Sequence, residues 1–234
     1  YIMSKAKHQE GKTFLDEEID LKESYSKAEH FIHDNRNVLL GVLGVIALIV
    51  AAVVGFNSIY LPGQEKNAQA DMFVAQQSFK KDSFNLALNG NGSYPGFIGF
   101  IDDYSSMTKA VKLAHYYAGV SYLNLGKFED AVEHLSKFKS KDALLNATAS
   151  GALGDAYSEL GKMDKAIDAY KKAAKQSKDE FSAPFNLFKA GLALETQGDF
   201  KSAKAIYEQI RTQYPESSQG REIEKYIARV EASL

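Results

Sequence analysis

The chain contains no cysteine. That removes any disulfide frame and any thiolate metal site, and it leaves the redox compartment unmarked. It also suits an export route that uses no disulfide chemistry. Only four prolines interrupt 234 residues, and no stretch is low in complexity. Few breakers and a dense helical pattern point to an all-α chain. The formal net charge is −2, so no strongly basic face is present and a nucleic-acid partner is excluded. Catalytic patterns are missing as well. Asp102-Asp103 and Glu17-Glu18 are adjacent pairs, and neighbours do not share a helix face. No Gly-x-Ser-x-Gly elbow or nucleotide loop occurs. Gly90-x-Gly92 has no Gly-Lys-Ser/Thr after it and no strand before it, and reads as a turn. His30 and His33 lie one turn apart, but two imidazoles without further ligands make a poor metal site. His115 and His134 read as packing residues. The expectation is a protein with no catalytic residues, no metal, no cofactor and no small-molecule substrate.

One long apolar run is present. Val38 to Phe56 holds nineteen apolar or small residues without a charge, enough to cross the ~30 Å hydrocarbon core as a helix. Arg36 and Asn37 mark one edge; Asn57, Tyr60, Pro62 and Gly63 mark the other, with Tyr60 suited to the headgroup level. More than thirty residues precede the run, and no small-x-small cleavage site follows it, so it reads as a signal anchor. Met3 near the start suggests that Tyr1 and Ile2 precede the natural first residue. Lys22, Lys27 and Arg36 before the run, against Lys66 and Lys80 after it, favour a cytoplasmic amino terminus. Ala47, Ala51 and Gly55 fall four apart on one face of this span, a small-residue stripe of the kind that lets membrane helices pack closely.

Three later stretches repeat one pattern. Gly119, Gly154 and Gly191 each begin a set with Tyr122, Tyr157 or Leu194 at offset 3 and Gly126, Gly161 or Gly198 at offset 7. Ala131, Ala166 or Ala203 follows at offset 12, and Leu135, Tyr170 or Tyr207 at offset 16. The copies start 35 and 37 residues apart. Spacing and residue order resemble the tetratricopeptide repeat, a helical hairpin that buries its apolar face by stacking on its neighbours. The first Gly of each set is expected to face the Ala, letting two helices approach closely. The second is expected to end the first helix in the left-handed conformation. Tyr122 and Tyr157 are expected to fill the space between repeats.

The organisation that follows has three parts. Residues 1–37 form a cytoplasmic tail, with Lys5, Lys7 and Lys12 before an acidic stretch over Asp16–Glu23 and an amphipathic segment from Ser24 to His33. Residues 38–60 form the transmembrane anchor. Residues 64–234 form a tetratricopeptide solenoid: a degenerate first repeat over 64–106, repeats over about 107–141, 142–178 and 182–216, and a capping helix over 217–234 whose stripe is Ile223, Tyr226, Ile227 and Val230.

This order of parts carries a second resemblance. With Gln64-Glu65-Lys66-Asn67-Ala68, Met72-Phe73-Val74-Ala75-Gln76, the run from Asp82 to Gly90, and Gly96-Phe97-Ile98 through Asp103-Tyr104, the chain resembles the membrane-anchored tetratricopeptide proteins of Bacteroidota. These are similar in architecture to YfgM, the ancillary subunit of the SecYEG translocon. The resemblance implies an inner-membrane anchor, a periplasmic repeat domain, and contact with the translocon and with exported polypeptides or periplasmic chaperones. It also implies a binding groove on the first helix of each hairpin. Aligned on the Gly, its candidates are Leu113, Tyr116, Val120 and Asn124, then Thr148, Asp155 and Glu159, then Phe185, Phe188, Lys189 and Leu192. Repeats that clamp the carboxylate end of cytosolic heat-shock chaperones carry Lys where this chain has Tyr116, Gly151 and Phe188, and Asn where it has Val120, Asp155 and Leu192, so that clamp is absent. The groove reads as apolar and aromatic with an acidic middle. The functional expectation is a membrane-tethered scaffold or adaptor of the Sec translocon; the alternative is a scaffold in another cell-envelope assembly.

Overall fold

A computed structural model describes residues 25–234. The charged pattern over residues 5–24 lies outside the described residues. All regular structure among them is helical, in two compact units that divide between Ile59 and Tyr60.

The first unit holds α1 (25–34) and α2 (Arg36–Gly55), followed by a π-helical turn, Phe56–Tyr60. No side chain of α2 is buried, and no charge follows Arg36 within it. It supplies the one helix, among the described residues, long and apolar enough to cross a membrane. Tyr25, Phe31 and Ile32 of α1 are exposed too. Of the small-residue stripe, Ala47 and Ala51 are exposed, and Gly55 has no neighbouring group within 4 Å of an added Cβ.

The second unit opens with α3 (Leu61–Lys80), α4 (Phe84–Asn89) and α5 (Gly96–Asp103). Three hairpins follow: α6 (Lys109–Asn124) with α7 (Phe128–Lys137), α8 (Ala143–Glu159) with α9 (Met163–Ser177), and α10 (Ser182–Thr196) with α11 (Phe200–Gln213). A last helix, α12 (Ser218–Glu231), packs on α10 and α11 as a cap. Each element touches mainly its neighbours along the chain, as a stack of repeats does. The apolar core is likewise serial. Met72, Leu88, Phe97, Phe100 and Val111 fill its start, Leu135 and Phe138 its middle, and Tyr207, Ile210, Ile223 and Val230 its end.

Local chemistry sets the helix ends. Side chains of Thr108, Asp142, Asp199 and Ser217 accept hydrogen bonds from the first-turn amides of α6, α8, α11 and α12. The Glu65 carboxylate of α3 also accepts from the amide of Lys109 at 2.7 Å, tying α3 to the start of α6. At the other end, Gly126, Gly161 and Gly198 have φ of +73°, +68° and +79°. Lys127, Lys162 and Asp199 then donate their amides back to Tyr122, Tyr157 and Leu194, at 2.9, 2.8 and 2.9 Å. This i+5 to i bond is the Schellman closure, and all three copies make it.

The structure corrects one packing expectation. The first Gly of each set faces the bulky residue at offset 16 and not the Ala at offset 12. A Cβ added to Gly119 would lie 2.6 Å from Cγ of Leu135, and one on Gly154 would lie 2.5 Å from Cε1 of Tyr170. Gly191 meets Tyr207 in the same way. Helices that cross at a Gly leave a recess, and the recess takes the largest side chain of the opposing helix. Ala131, Ala166 and Ala203 are fully buried beside it. Tyr122 borders the first two core clusters, and Tyr157 packs with Ala166, Tyr170 and Ala190 across two hairpins.

The first hairpin differs from the others in carrying a histidine pair. His115 of α6 is buried, with its Nδ1 3.1 Å from Nδ1 of His134 on α7. One shared proton makes this a hydrogen bond; two would set donor against donor. Burial, then His134 and Lys137, pull His115 down to about 4, against Glu133. Burial lowers His134 too, joined by Lys137 and opposed by Glu133, Asp130 and Asp102.

Two outcomes follow from this packing. Gly154→Ala should cost about 1–3 kcal/mol through overpacking against the Tyr170 ring, read as a lower melting temperature, whereas Gly63→Ala, with open space around it, should cost far less. A Gly154→Ala variant as stable as the parent would refute the close approach. For the histidines, the folded value lies below the ordinary one of 6.5, so the unfolded chain binds the proton first. The contribution of His115 is complete above pH 6.5 and is lost as pH falls toward 4, by roughly 3 kcal/mol. Melting of the full chain in neutral detergent should weaken from pH 7 to pH 5, and His115→Phe should flatten that slope. An equal slope in the variant would place the acid sensitivity elsewhere.

Candidate protein-binding groove

The first helices of the three hairpins, α6, α8 and α10, touch one another in order. Side chains three and four apart on each helix share a face, so each contributes a stripe to one continuous surface. A cleft of about 450 Å³ lies along it. Tyr116, Val120, Leu123 and Asn124 of α6 form one wall. Gly151, Ala152 and Asp155 of α8 form the floor; Phe181, Phe185 and Lys189 form the other wall. Gly151 keeps the floor low, since a Cβ there would stand 2.7 Å from Oδ1 of Asn186.

The electrostatics differ from the sequence reading. An acidic middle is expected there, but Asp155 is tied into a network. Lys189 Nζ lies 2.8 and 2.9 Å from its two carboxylate oxygens, and the Tyr170 hydroxyl donates to Oδ1 at 2.7 Å. The ammonium also sits 4.6 Å from the Phe185 ring centroid, a cation–π distance. Burial and the bond to Asp155 push the Tyr170 hydroxyl well above its ordinary range, which keeps it a donor. Burial raises Tyr116 as well. The middle of the cleft is therefore charge-balanced, and its recognition features are apolar walls with the Asn124 and Asn186 amides beside them.

Seven of the eleven groove candidates named from sequence line this cleft: Tyr116, Val120 and Asn124, Thr148 and Asp155, Phe185 and Lys189. The other four stand apart, with Leu113 lining a separate cavity. Phe188 points into the end of the core, with its ring centroid 4.7 Å from Tyr226 of α12 and 6.0 Å from Tyr207. The cap occupies the place that the first helix of a further repeat would take, and so it covers the groove position there. Glu159 and Leu192 are exposed outside the cleft. Phe181 was missed from sequence. It is 80% exposed and Phe185 is 42% exposed, an unusual placement for two phenylalanines one turn apart. The i, i+4, i+8 spacing of Phe181, Phe185 and Lys189 was the signal available for it.

Residues 86–224 match the family described as T7SS, ESX-1 secretion system protein EccA1, N-terminal domain. No curated protein matches the chain. The matched stretch begins inside α4 and ends inside α12, so it takes in all three hairpins and the whole cleft and leaves out α2. It covers more than half of the residues, and on that ground the chain belongs to the family of the EccA1 N-terminal domain.

Proposed function

We propose that this protein is a membrane-tethered adaptor of protein export, an ancillary subunit of a Sec-type translocon that makes chaperone-like contacts with passing polypeptides. The observation that carries the reading is an open apolar cleft, walled by exposed Phe181 and Phe185, on a chain with one span-length apolar helix. In this reading α2 anchors the protein in the bacterial inner membrane, the amino terminus is cytoplasmic, and the repeats lie in the periplasm. The protein works by binding, without catalysis or cofactor. The name of the matched family, a secretion-system protein, points toward export machinery.

Two surfaces divide the work. Contacts with moving clients need fast release, which a shallow cleft with apolar anchors and a balanced floor provides. A resident subunit needs a contact that does not depend on clients, and the Ala47, Ala51, Gly55 stripe offers a close-packing face to a partner span. The second reading, a scaffold in another envelope assembly, uses the same surfaces with a different resident partner.

Mild detergent extraction separates the two. Translocon subunits should copurify with the full chain, and replacing Ala47, Ala51 and Gly55 together by Leu should release them while membrane insertion stays normal. A photo-crosslinker at Phe185 should capture exported polypeptides, and Tyr116→Ala in that background should reduce the adducts roughly tenfold. Recovery of an envelope complex without translocon subunits would favour the second reading. Protease added to spheroplasts should digest the repeats and spare the tail; protection of the repeats would refute the export reading.

A further inference from the structure

The chain carries a slight negative balance, yet four lysines gather at one place. Lys109 and Lys112 lie on the first turn of α6, and Lys139 and Lys141 lie on the connection from α7 to α8. All four line one cavity of about 640 Å³. Its inner wall is apolar: Leu113, Phe138 and Leu145, with exposed Met107 at the rim. This is a different face from the cleft described above, and the two share no lining residue.

None of the four lysines makes an ion pair among the described residues, whereas Lys137, Lys189, Lys204 and Lys225 all do. The single acid in the lining, Asp142, is held as the cap of α8, accepting from the Leu145 amide at 3.0 Å. The Lys109 amide is likewise taken by Glu65. Backbone donors at both helix starts are therefore satisfied, while the ammonium groups above them are not. Counting Asp142 against the lysines leaves an excess positive charge around an apolar recess.

We propose that this cavity is a second docking site, for a peptide segment in which acidic residues flank an aromatic or leucine side chain. The charge complementarity fixes the sign of the partner: four free ammonium groups select carboxylates and repel basic segments. The recess fixes the rest. Phe138 is buried and Leu113 and Leu145 are half-buried, so the apolar part lies behind the charged rim. That is the layout of a protein interface, an apolar pocket ringed by polar groups. A membrane surface would require several apolar anchors standing outside the basic groups, and of the lining residues Met107 alone is an exposed apolar side chain. Phe138 also contacts Tyr116 at 5.4 Å between centroids, which places the new site back to back with the cleft on α6. The site stands whether or not the cleft holds exported polypeptides.

The test uses the full chain in nanodiscs of neutral phosphatidylcholine and fluorescence anisotropy. The probe is a short labelled peptide of Asp and Glu around a central Phe-Leu pair. It should bind, and added salt should weaken it. Lys139→Glu with Lys141→Glu, both exposed and outside the helices, should weaken binding roughly tenfold or more without moving the melting temperature. Phe181→Ala with Phe185→Ala in the cleft should leave it intact. No binding by the parent protein overturns the proposal, and so does unchanged binding by the lysine variant. Equal binding of a control peptide with Gly-Ser in place of Phe-Leu overturns the apolar half of it. Displacement of the probe by phosphatidylglycerol vesicles at lower concentration than by unlabelled peptide overturns it in favour of a membrane surface.

Discussion

Everything in the repeat unit depends on a bulky side chain filling the recess over a glycine. Leu135 over Gly119, Tyr170 over Gly154 and Tyr207 over Gly191 fix how closely the two helices of each hairpin approach. The distance between those helices then sets the position of the next hairpin, because each one rests on its predecessor. In the second and third hairpins the filling residue is Tyr, and its hydroxyl reaches an acid on the first helix. Tyr170 donates to Asp155, and Tyr207 donates to Glu195. The same contact that closes the hairpin thus orients a carboxylate on its outer surface. Asp155 turns to Lys189 across the cleft floor. Glu195 takes a two-pronged bond from Arg229 of α12, at 2.7 and 2.9 Å. Paired Arg–carboxylate geometry of this kind is directional as well as charged. The cap is docked by the third copy of the device that shapes the cleft in the second.

That shared device explains where the cleft ends. A fourth first-helix would extend it past Phe188. Instead α12 lays Tyr226 against Phe188 and Tyr207, and Arg229 stacks 4.7 Å from the Tyr226 ring. The terminal apolar face is consumed in closing the stack, as capping helices in solenoids must do. The first hairpin has Leu135 at the filling position and so lacks the hydroxyl. Its polar contact is the buried His115–His134 pair, which holds as one hydrogen bond only while the rings share a single proton. Of the three hairpins, it is the one whose packing depends on the protonation of a histidine pair.

Legibility in the sequence followed periodicity. The five offsets repeat because each corresponds to a fixed backbone event: a helix crossing, a helix end, a return. The left-handed glycines and the Schellman closures were readable from Gly126, Gly161 and Gly198 alone. The partner of the crossing glycine was not. Offsets 12 and 16 are one turn apart on the same face of the second helix, and residue size suggested the Ala, whereas the geometry places the large side chain in the recess. The site was legible for Tyr116, Val120, Asn124 and Asp155, where the repeat frame applies without interruption. It failed at Phe188 because nothing in a single position announces that a cap will cover it. It missed Phe181 because that residue precedes α10 and sits outside the repeat pattern. Pairing was the other hidden quantity. Lys189 is a long way from Asp155 in sequence, and a composition reading leaves both charges free.

Charge pairing also separates the two recognition surfaces in kind. In the cleft, Lys189 and Asp155 neutralise each other, and the Phe185 ring covers the ammonium. What remains to a ligand there is apolar area and amide hydrogen bonding, which discriminate weakly between sequences. Lys109, Lys112, Lys139 and Lys141 make no ion pair among the described residues, so in the proposed site selection by sign of charge dominates. The two proposed roles, varied polypeptides in one face and an acidic partner in the other, call for this division. The frame that carries both is α6, whose residues line the cleft through Tyr116 and Val120 and the basic cavity through Lys109, Lys112 and Leu113.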